Sequence, residues 1–171
     1  MGVAAPAPTL LRDALRSLAC VLLDADALNL LGASRSLSAA LARRSGPTLL
    51  TPHPGEAARL LGETTAKVQA DRVAAVIAIA KRFRSFTVLK GNGSIVAEPG
   101  GKYWINASGN SGMASAGMGD ALAGIVAALC AQGAEPLRAL IAGTYLHGAA
   151  ADVLAAAGTG PLGITASEVI D

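Results

Sequence analysis

Aromatic residues are nearly missing from this sequence: two Phe, two Tyr and one Trp make up 3% of 171 residues. Any core must therefore be built from Ala, Leu, Val and Ile, which favours close packing of small side chains. An excess of charge of either sign is missing too. Fourteen Lys and Arg stand against 12 Asp and Glu, and a net charge of +2 gives no electrostatic case for nucleic acid or a membrane surface as partner. Charged residues reach only 15% against 52% apolar, which excludes a disordered chain. The two cysteines, Cys20 and Cys130, lack metal-ligand spacing; each lies in an apolar run and reads as a buried thiol of a reduced cytoplasm. No basic residue precedes Arg12, so the start does not match a signal peptide. The apolar stretch at 121–131 is too short to span a bilayer, and the one at 137–157 carries Arg138, His147 and Asp152. These features together point to a soluble, cytoplasmic single domain over residues 1–171, with the Ala/Pro-rich residues 1–9 disordered.

Three short apolar runs, at 19–23, 48–50 and 86–89, read as buried parallel strands. Between and around them, residues 10–18, 34–44, 56–61, 67–84, 120–132, 136–157 and 165–170 carry helical spacing. The 67–84 segment is the clearest amphipathic helix, with Val73, Val76, Ile77 and Ala80 on one side. Residues 95–97 and 103–105, separated by Pro99-Gly100-Gly101, read as a hairpin. This alternation predicts an α/β fold, a mostly parallel sheet flanked by helices on both faces. Ligands of such sheets sit at the carboxyl ends of the strands, where Asp24, Thr51-Pro52-His53 and Lys90-Gly91 fall.

Residues 106–119 form a glycine-rich loop running into Gly117-Met118-Gly119-Asp120 at a helix start. Such a start presents unpaired N–H groups and a positive dipole end, and glycine lets the backbone approach phosphate oxygens. A carboxylate beside an anion site repels its ligand unless it performs chemistry. Asp120 therefore reads as a base for a hydroxyl attacking a phosphoryl group, or else as a plain helix cap. His53 lies in Thr51-Pro52-His53-Pro54-Gly55-Glu56, where two prolines restrict the imidazole, while Glu56 suits a helix N-terminus. Lys90-Gly91-Asn92-Gly93-Ser94 follows a strand and is either a nucleotide-facing turn or a simple tight turn. Asp24 reads as hydrogen-bonded at its strand end and Asp26 as an N-cap, with a metal pair as the alternative. His147 reads as a packed, hydrogen-bonded histidine, and Trp104 as part of the hairpin.

The segment GNSGMASAGMGDALAGIVAALCAQG at 109–133 resembles the signature of NAD(P)H-hydrate dehydratases, carbohydrate-kinase-like enzymes of the ribokinase superfamily. Four further blocks stand in the same order: Leu23-Asp24-Ala25-Asp26-Ala27-Leu28-Asn29, Leu50-Thr51-Pro52-His53-Pro54-Gly55-Glu56, Leu89-Lys90-Gly91 and Leu146-His147-Gly148. The resemblance implies a ribokinase-like fold and nucleotide-dependent repair of hydrated NADH or NADPH, with ADP or ATP as co-substrate and Mg2+. It implies Asp120 as catalytic base and as a contact to the hydrated cofactor. Gly117, Met118 and Gly119 would be the anion hole, and His53 a second contact to the hydrated cofactor. Lys90, Gly91, Asn92, Gly93, Ser94 and Gly119 would meet the nucleotide, and Glu56 the metal, through water. Homo-oligomers are common in the family.

Two departures stand out. The family's domain carries further strand–helix units before the Asp24 block, so the resemblance implies an N-terminally truncated domain, the C-terminal two-thirds of the family's. Ser115 and Ala116 stand where the family usually has Thr and Gly; the extra methyl of Ala116 matters if that position needs positive φ or touches phosphate. Two other functions fit the same residues: a sugar or vitamin kinase of the superfamily, or a non-catalytic remnant that binds nucleotide or a partner subunit.

Overall fold

The computed structural model describes residues 7–171, which divide into two compact units. The first unit comprises residues up to Gly91 together with Ile95–Trp104. It opens with α1 (Ala7–Arg16), so Ala7, Pro8 and Thr9 are helical rather than disordered; the rest of the expected disordered segment lies outside the described residues. Leu11 and Leu15, one turn apart, are the buried stripe that holds this helix down.

Strands β1 (Val21–Leu23), β2 (Thr48–Leu50) and β3 (Phe86–Leu89) pair in parallel, with Leu22 opposite Leu49 and Leu50 opposite Thr87. Strand β4 (Ile95–Ala97) joins β3 antiparallel, and β5 (Tyr103–Ile105) closes the order β1-β2-β3-β4-β5. The fold is α/β as the alternation implied, and the terminal hairpin makes the sheet mixed. Leu23, Leu50, Leu89, Ile95 and Ala97 pack into one core cluster with Leu28, Leu60, Ile79 and Phe83 from the helices. Leu49, Val88 and Val96, which alternation turns to the opposite face, are buried too. All three β5 residues are exposed, so Trp104 is surface.

Five helices follow β1 and β2: α2 (Asp26–Ala33), α3 (Arg35–Ala42), α4 (Pro54–Leu61) and, after a break, the pair α5 (Thr65–Ala70) and α6 (Arg72–Phe83). The single helix expected over 67–84 is thus two. Asp71 leaves helical geometry (φ −144°, ψ 84°), and its carboxylate accepts the Ala74 N–H at 2.8 Å, starting α6 afresh. A short acceptor that can cap competes with continued helix, and hydrophobic periodicity does not register that. Asp26 is the first residue of α2 rather than its cap; Ala25, at φ 47°, stands before it without a capping bond. Cys20 is exposed and Cys130 only half-buried, against the expectation from their apolar neighbours. Residues 17–20 form a surface linker before β1, where sequence polarity says little about burial.

The second unit comprises Asn92–Ser94 and residues from Ile105 onward. Here α7 (Met118–Ala131) and α8 (Pro136–Ala156) pack together, with α9 (Ala166–Ile170) against both. Gly143 sits where a Cβ would come within 2.6 Å of Val126 Cγ2, so a small residue sets this close approach. Met118, Ala151, Ile164 and Val169 form the unit's core cluster. Helix α8 is long and apolar enough to cross a membrane by composition, but much of it packs within this unit.

Candidate active site

At the carboxyl ends of β1, β2 and β3, backbone bonds bring three loops together. The Thr51 N–H donates to Leu23 O at 3.3 Å, and the Lys90 N–H to Pro52 O at 2.8 Å. This places Asp24 and Lys90 side by side. Lys90 Nζ donates to Asp24 Oδ1 at 2.7 Å, and the same oxygen accepts the Ala25 N–H at 2.8 Å. Asp24 is indeed bonded at its strand end. Both side chains of the pair are largely withdrawn from solvent, at 19% and 11% exposure, so the bridge is stronger than a surface pair.

His53 and Glu56 open α4 as a reciprocal capping box. Glu56 Oε2 accepts the His53 N–H at 2.8 Å, and His53 Nδ1 accepts the Gly55 N–H at 3.0 Å. Because Nδ1 is an acceptor, the imidazole proton lies on Nε2, which faces Glu56 Oε1 at 3.4 Å. Glu56 is buried; the His53 side chain is half exposed, its orientation fixed by two contacts. Among the described residues no group of three or more His, Cys, Asp or Glu is arranged to hold a metal. Glu56 is a single carboxylate whose long Oε1 contact leaves lone pairs unused, a donor set that suits Mg2+ held mainly by phosphates and water.

The Lys90–Ser94 turn divides between the two units. Gly91 has φ 140°, and a Cβ there would meet the Arg72 guanidinium at 2.8 Å. Arg72, at the first position of α6, reaches back to Leu89 O at 3.3 Å and to Gln69 Oε1 at 3.0 Å, and burial pulls its pKa down. A cation at a helix N-terminus opposes the dipole, so these contacts are what hold it there. Arg72 carries no distinguishing signal in its local sequence. In the second unit, Gly93 takes φ 64°, and the Asn106 N–H donates to Ser94 O at 2.8 Å.

The glycine-rich loop is tied down rather than loose. Asp152 on α8 accepts the Gly109 N–H at 2.7 Å through Oδ2 and Asn110 Nδ2 at 3.0 Å through Oδ1. Asn110 Nδ2 also reaches Ala151 O at 2.9 Å, and Ser115 Oγ donates to Ile164 O at 3.1 Å. A 3-10 turn at Ser111–Met113 shapes the middle of the loop. Asp152 is thus a positioning residue; a lone acid in an otherwise apolar helix was its visible signal. Gly148 is required where it stands, since a Cβ would come within 2.4 Å of Ser108 Oγ.

The loop ends on Gly117 at φ 85°, and α7 begins at Met118 with no side-chain cap. Asp120 is therefore the third helical residue, not the N-cap that the plainer reading allowed. Its carboxylate is exposed and has no hydrogen-bond or ion-pair partner among the described residues. The first-turn N–H groups have no carbonyl to bond within the helix, which leaves them for an anion. Ala116 does not take positive φ, so the methyl that replaces glycine there costs no backbone strain. His147 is buried, yet its Nε2 has no partner, so the expected hydrogen bond is missing at that atom; burial lowers its pKa.

The sequence matches the family profile of NAD(P)H-hydrate dehydratase over residues 2–171. The chain belongs to that family. The ADP-dependent (S)-NAD(P)H-hydrate dehydratase of Neisseria meningitidis is 50% identical over 149 residues, covering 87% of this chain and 50% of that protein. The bifunctional NAD(P)H-hydrate repair enzyme of Escherichia coli is 46% identical over 136 residues, covering 80% of this chain and 25% of the relative. A solved ADP/ATP-dependent NAD(P)H-hydrate dehydratase from Bacillus subtilis, co-crystallised with ATP/Mg2+ and soaked with CoA, superposes with a TM-score of 0.79 at 32% identity. That superposition covers 92% of this chain and 55% of the other. A ribokinase-like superfamily protein from Enterococcus faecalis superposes with a TM-score of 0.80 at 28% identity. As a member of the NAD(P)H-hydrate dehydratase family, the chain spans about half the length of the Neisseria relative and a quarter of the E. coli one.

Proposed function

We propose that this chain supports nucleotide-dependent dehydration of hydrated NADH and NADPH, acting in the cytoplasm. The observation that carries the reading is the start of α7: an uncapped helix terminus behind Gly117, with the unpartnered carboxylate of Asp120 in its first turn. Asp120 takes the proton from the hydroxyl on the hydrated ring. The freed oxygen bonds to the terminal phosphoryl group of ADP or ATP as the bond to the departing nucleotide breaks. The N–H groups of Gly117, Met118 and Gly119 stabilise the charge on the transferring oxygens. The C–O bond then breaks with loss of a ring proton, inorganic phosphate leaves, and the ring double bond of NAD(P)H returns. Phosphorylation matters because hydroxide is a poor leaving group and phosphate a good one.

In this reading His53 presents its half-exposed imidazole to the hydrated cofactor, its orientation fixed by Gly55 and Glu56. Glu56 would hold Mg2+ through water, and the ion would neutralise phosphate charge. Lys90, Gly91, Asn92, Gly93, Ser94 and Gly119 would meet the nucleotide. Copies of the chain would associate, as family members commonly do, which light scattering after size exclusion reads directly.

The test supplies hydrated NADH, ADP and Mg2+ and follows absorbance at the NADH wavelength together with phosphate release. Equal recovery of NADH and inorganic phosphate supports the reading. Phosphate retained on an organic product would indicate a kinase, and no turnover with or without ADP a non-catalytic chain.

A further inference from the structure

The opposite ends of the same strands carry a second constellation. Where α1 and α3 finish beside each other, before β1 and β2 begin, the first unit holds a cavity of about 450 Å3. Four arginines line it: Arg12 and Arg16, one turn apart on α1, and Arg43 and Arg44 at the end of α3. Ser36 and Ser45 add hydroxyls, and no carboxylate is among the lining residues.

Arg44 is buried at 9% exposure. Its terminal nitrogens donate to Ser17 O at 2.9 Å, Gly46 O at 2.9 Å, Pro47 O at 2.6 Å, Thr48 Oγ1 at 2.8 Å and to Ala19 O, while Nε is buried without a partner. Among the described residues it has no ion-pair partner. Burial pulls its pKa down, with the neighbouring Cys20 opposing in part, and a guanidinium withdrawn from water with no carboxylate partner is unfavourable. Arg12 and Arg43 also have no ion-pair partner among the described residues. Arg16 has one, the exposed Asp13 at 3.5 Å, which solvent screens. A helix C-terminus accounts for a cation at each end, but like charges one turn apart repel, and with four arginines on the wall of one hollow, three of them exposed, an anion is favoured there.

We propose that this cavity binds a phosphate-class oxoanion: a diphosphate, free or carried on a small metabolite. Planar guanidinium forks match phosphate oxygens, serine hydroxyls complete the donors, and the volume lies in the range of small-molecule pockets. The site shares no residue with the start of α7 and stands whether or not the dehydratase reading does.

Phenylglyoxal modification of the full chain, mapped by peptide mass spectrometry in EDTA at fixed ionic strength, reads the site residue by residue. Inorganic pyrophosphate should slow modification of Arg12, Arg16 and Arg43 saturably, and leave the exposed Arg84 and Arg138 unaffected. The paired substitution Arg12→Gln and Arg43→Gln should weaken pyrophosphate protection of Arg16 about tenfold with unchanged thermal unfolding. A parallel ADP series identifies the source. Protection of the same residues at lower concentration means that the diphosphate is carried on a nucleotide; protection by pyrophosphate alone means the free anion. Equal protection of Arg84 and Arg138, no protection at Arg12 and Arg43, or unchanged protection in the paired variant overturns the proposal.

Discussion

Two helix starts in this protein treat their polar groups in opposite ways. At α4 nearly everything is matched from within: Glu56 caps His53, His53 accepts from Gly55, and nearby Asp24 is bridged to Lys90. At α7 nothing is: Gly117 offers no side chain, the first turn is uncapped, and Asp120 has no partner among the described residues. The same unit leaves His147 Nε2 buried and unbonded. Saturated groups hold geometry, whereas unsaturated ones are available to a ligand. The first region is thus set by its own bonds and the second is left open; in the proposed reaction His53, Glu56 and Lys90 would hold ligands from a fixed frame, while the start of α7 would meet the transferring phosphoryl group.

The largest effect that would sharpen this contrast is on rate. Asp120→Asn should lower dehydration of hydrated NADH about a thousandfold, within the span of general base catalysis, with the thermal midpoint unchanged because no contact is lost. A fall in midpoint instead would make Asp120 structural. Next comes Lys90→Met, which leaves Asp24 at 11% exposure without its cation. A loss of about 2 kcal/mol in urea unfolding is expected, between surface and buried pairs. Glu56→Gln weakens the capping box and should cost about 1 kcal/mol of stability by the same measurement. A drop in activity without a drop in stability would show that the proposed metal role of Glu56 outweighs its part in the cap.

The smallest effect concerns His147. Burial holds its folded pKa below the unfolded value, so the unfolded chain takes up the proton first as pH falls. Its contribution is full above about pH 6.5 and is lost below that, by at most about 1.4 kcal/mol per pH unit. Urea unfolding at neutral and mildly acidic pH should show a steeper acid loss in wild type than in His147→Gln. Equal slopes would mean that His147 is already protonated or exposed.

Much of this contrast was legible in the sequence. The strands at 48–50 and 86–89 coincide with β2 and β3, and Gly117-Met118-Gly119-Asp120 does open a helix, because apolar runs and glycine punctuation report local backbone preference directly. The break at Asp71 was hidden because a capping acid inside an amphipathic pattern looks like a surface residue. Exposure of Cys20 was hidden because its neighbours are apolar while its linker lies at the surface. The tether from Asp152 to the glycine-rich loop spans more than forty positions (the Gly109 bond is 43 apart), a separation to which local pattern is blind. The same holds for Arg44, whose bonds to Ser17 and Ala19 are 27 and 25 positions away.

The most direct test of the central claim is calorimetric titration of ADP into wild type and Asp120→Asn. If the start of α7 is an anion site whose carboxylate serves chemistry, removing that negative charge should leave ADP affinity equal or tighter while dehydration is lost. Weaker ADP binding in the variant, or turnover equal to wild type, would contradict it.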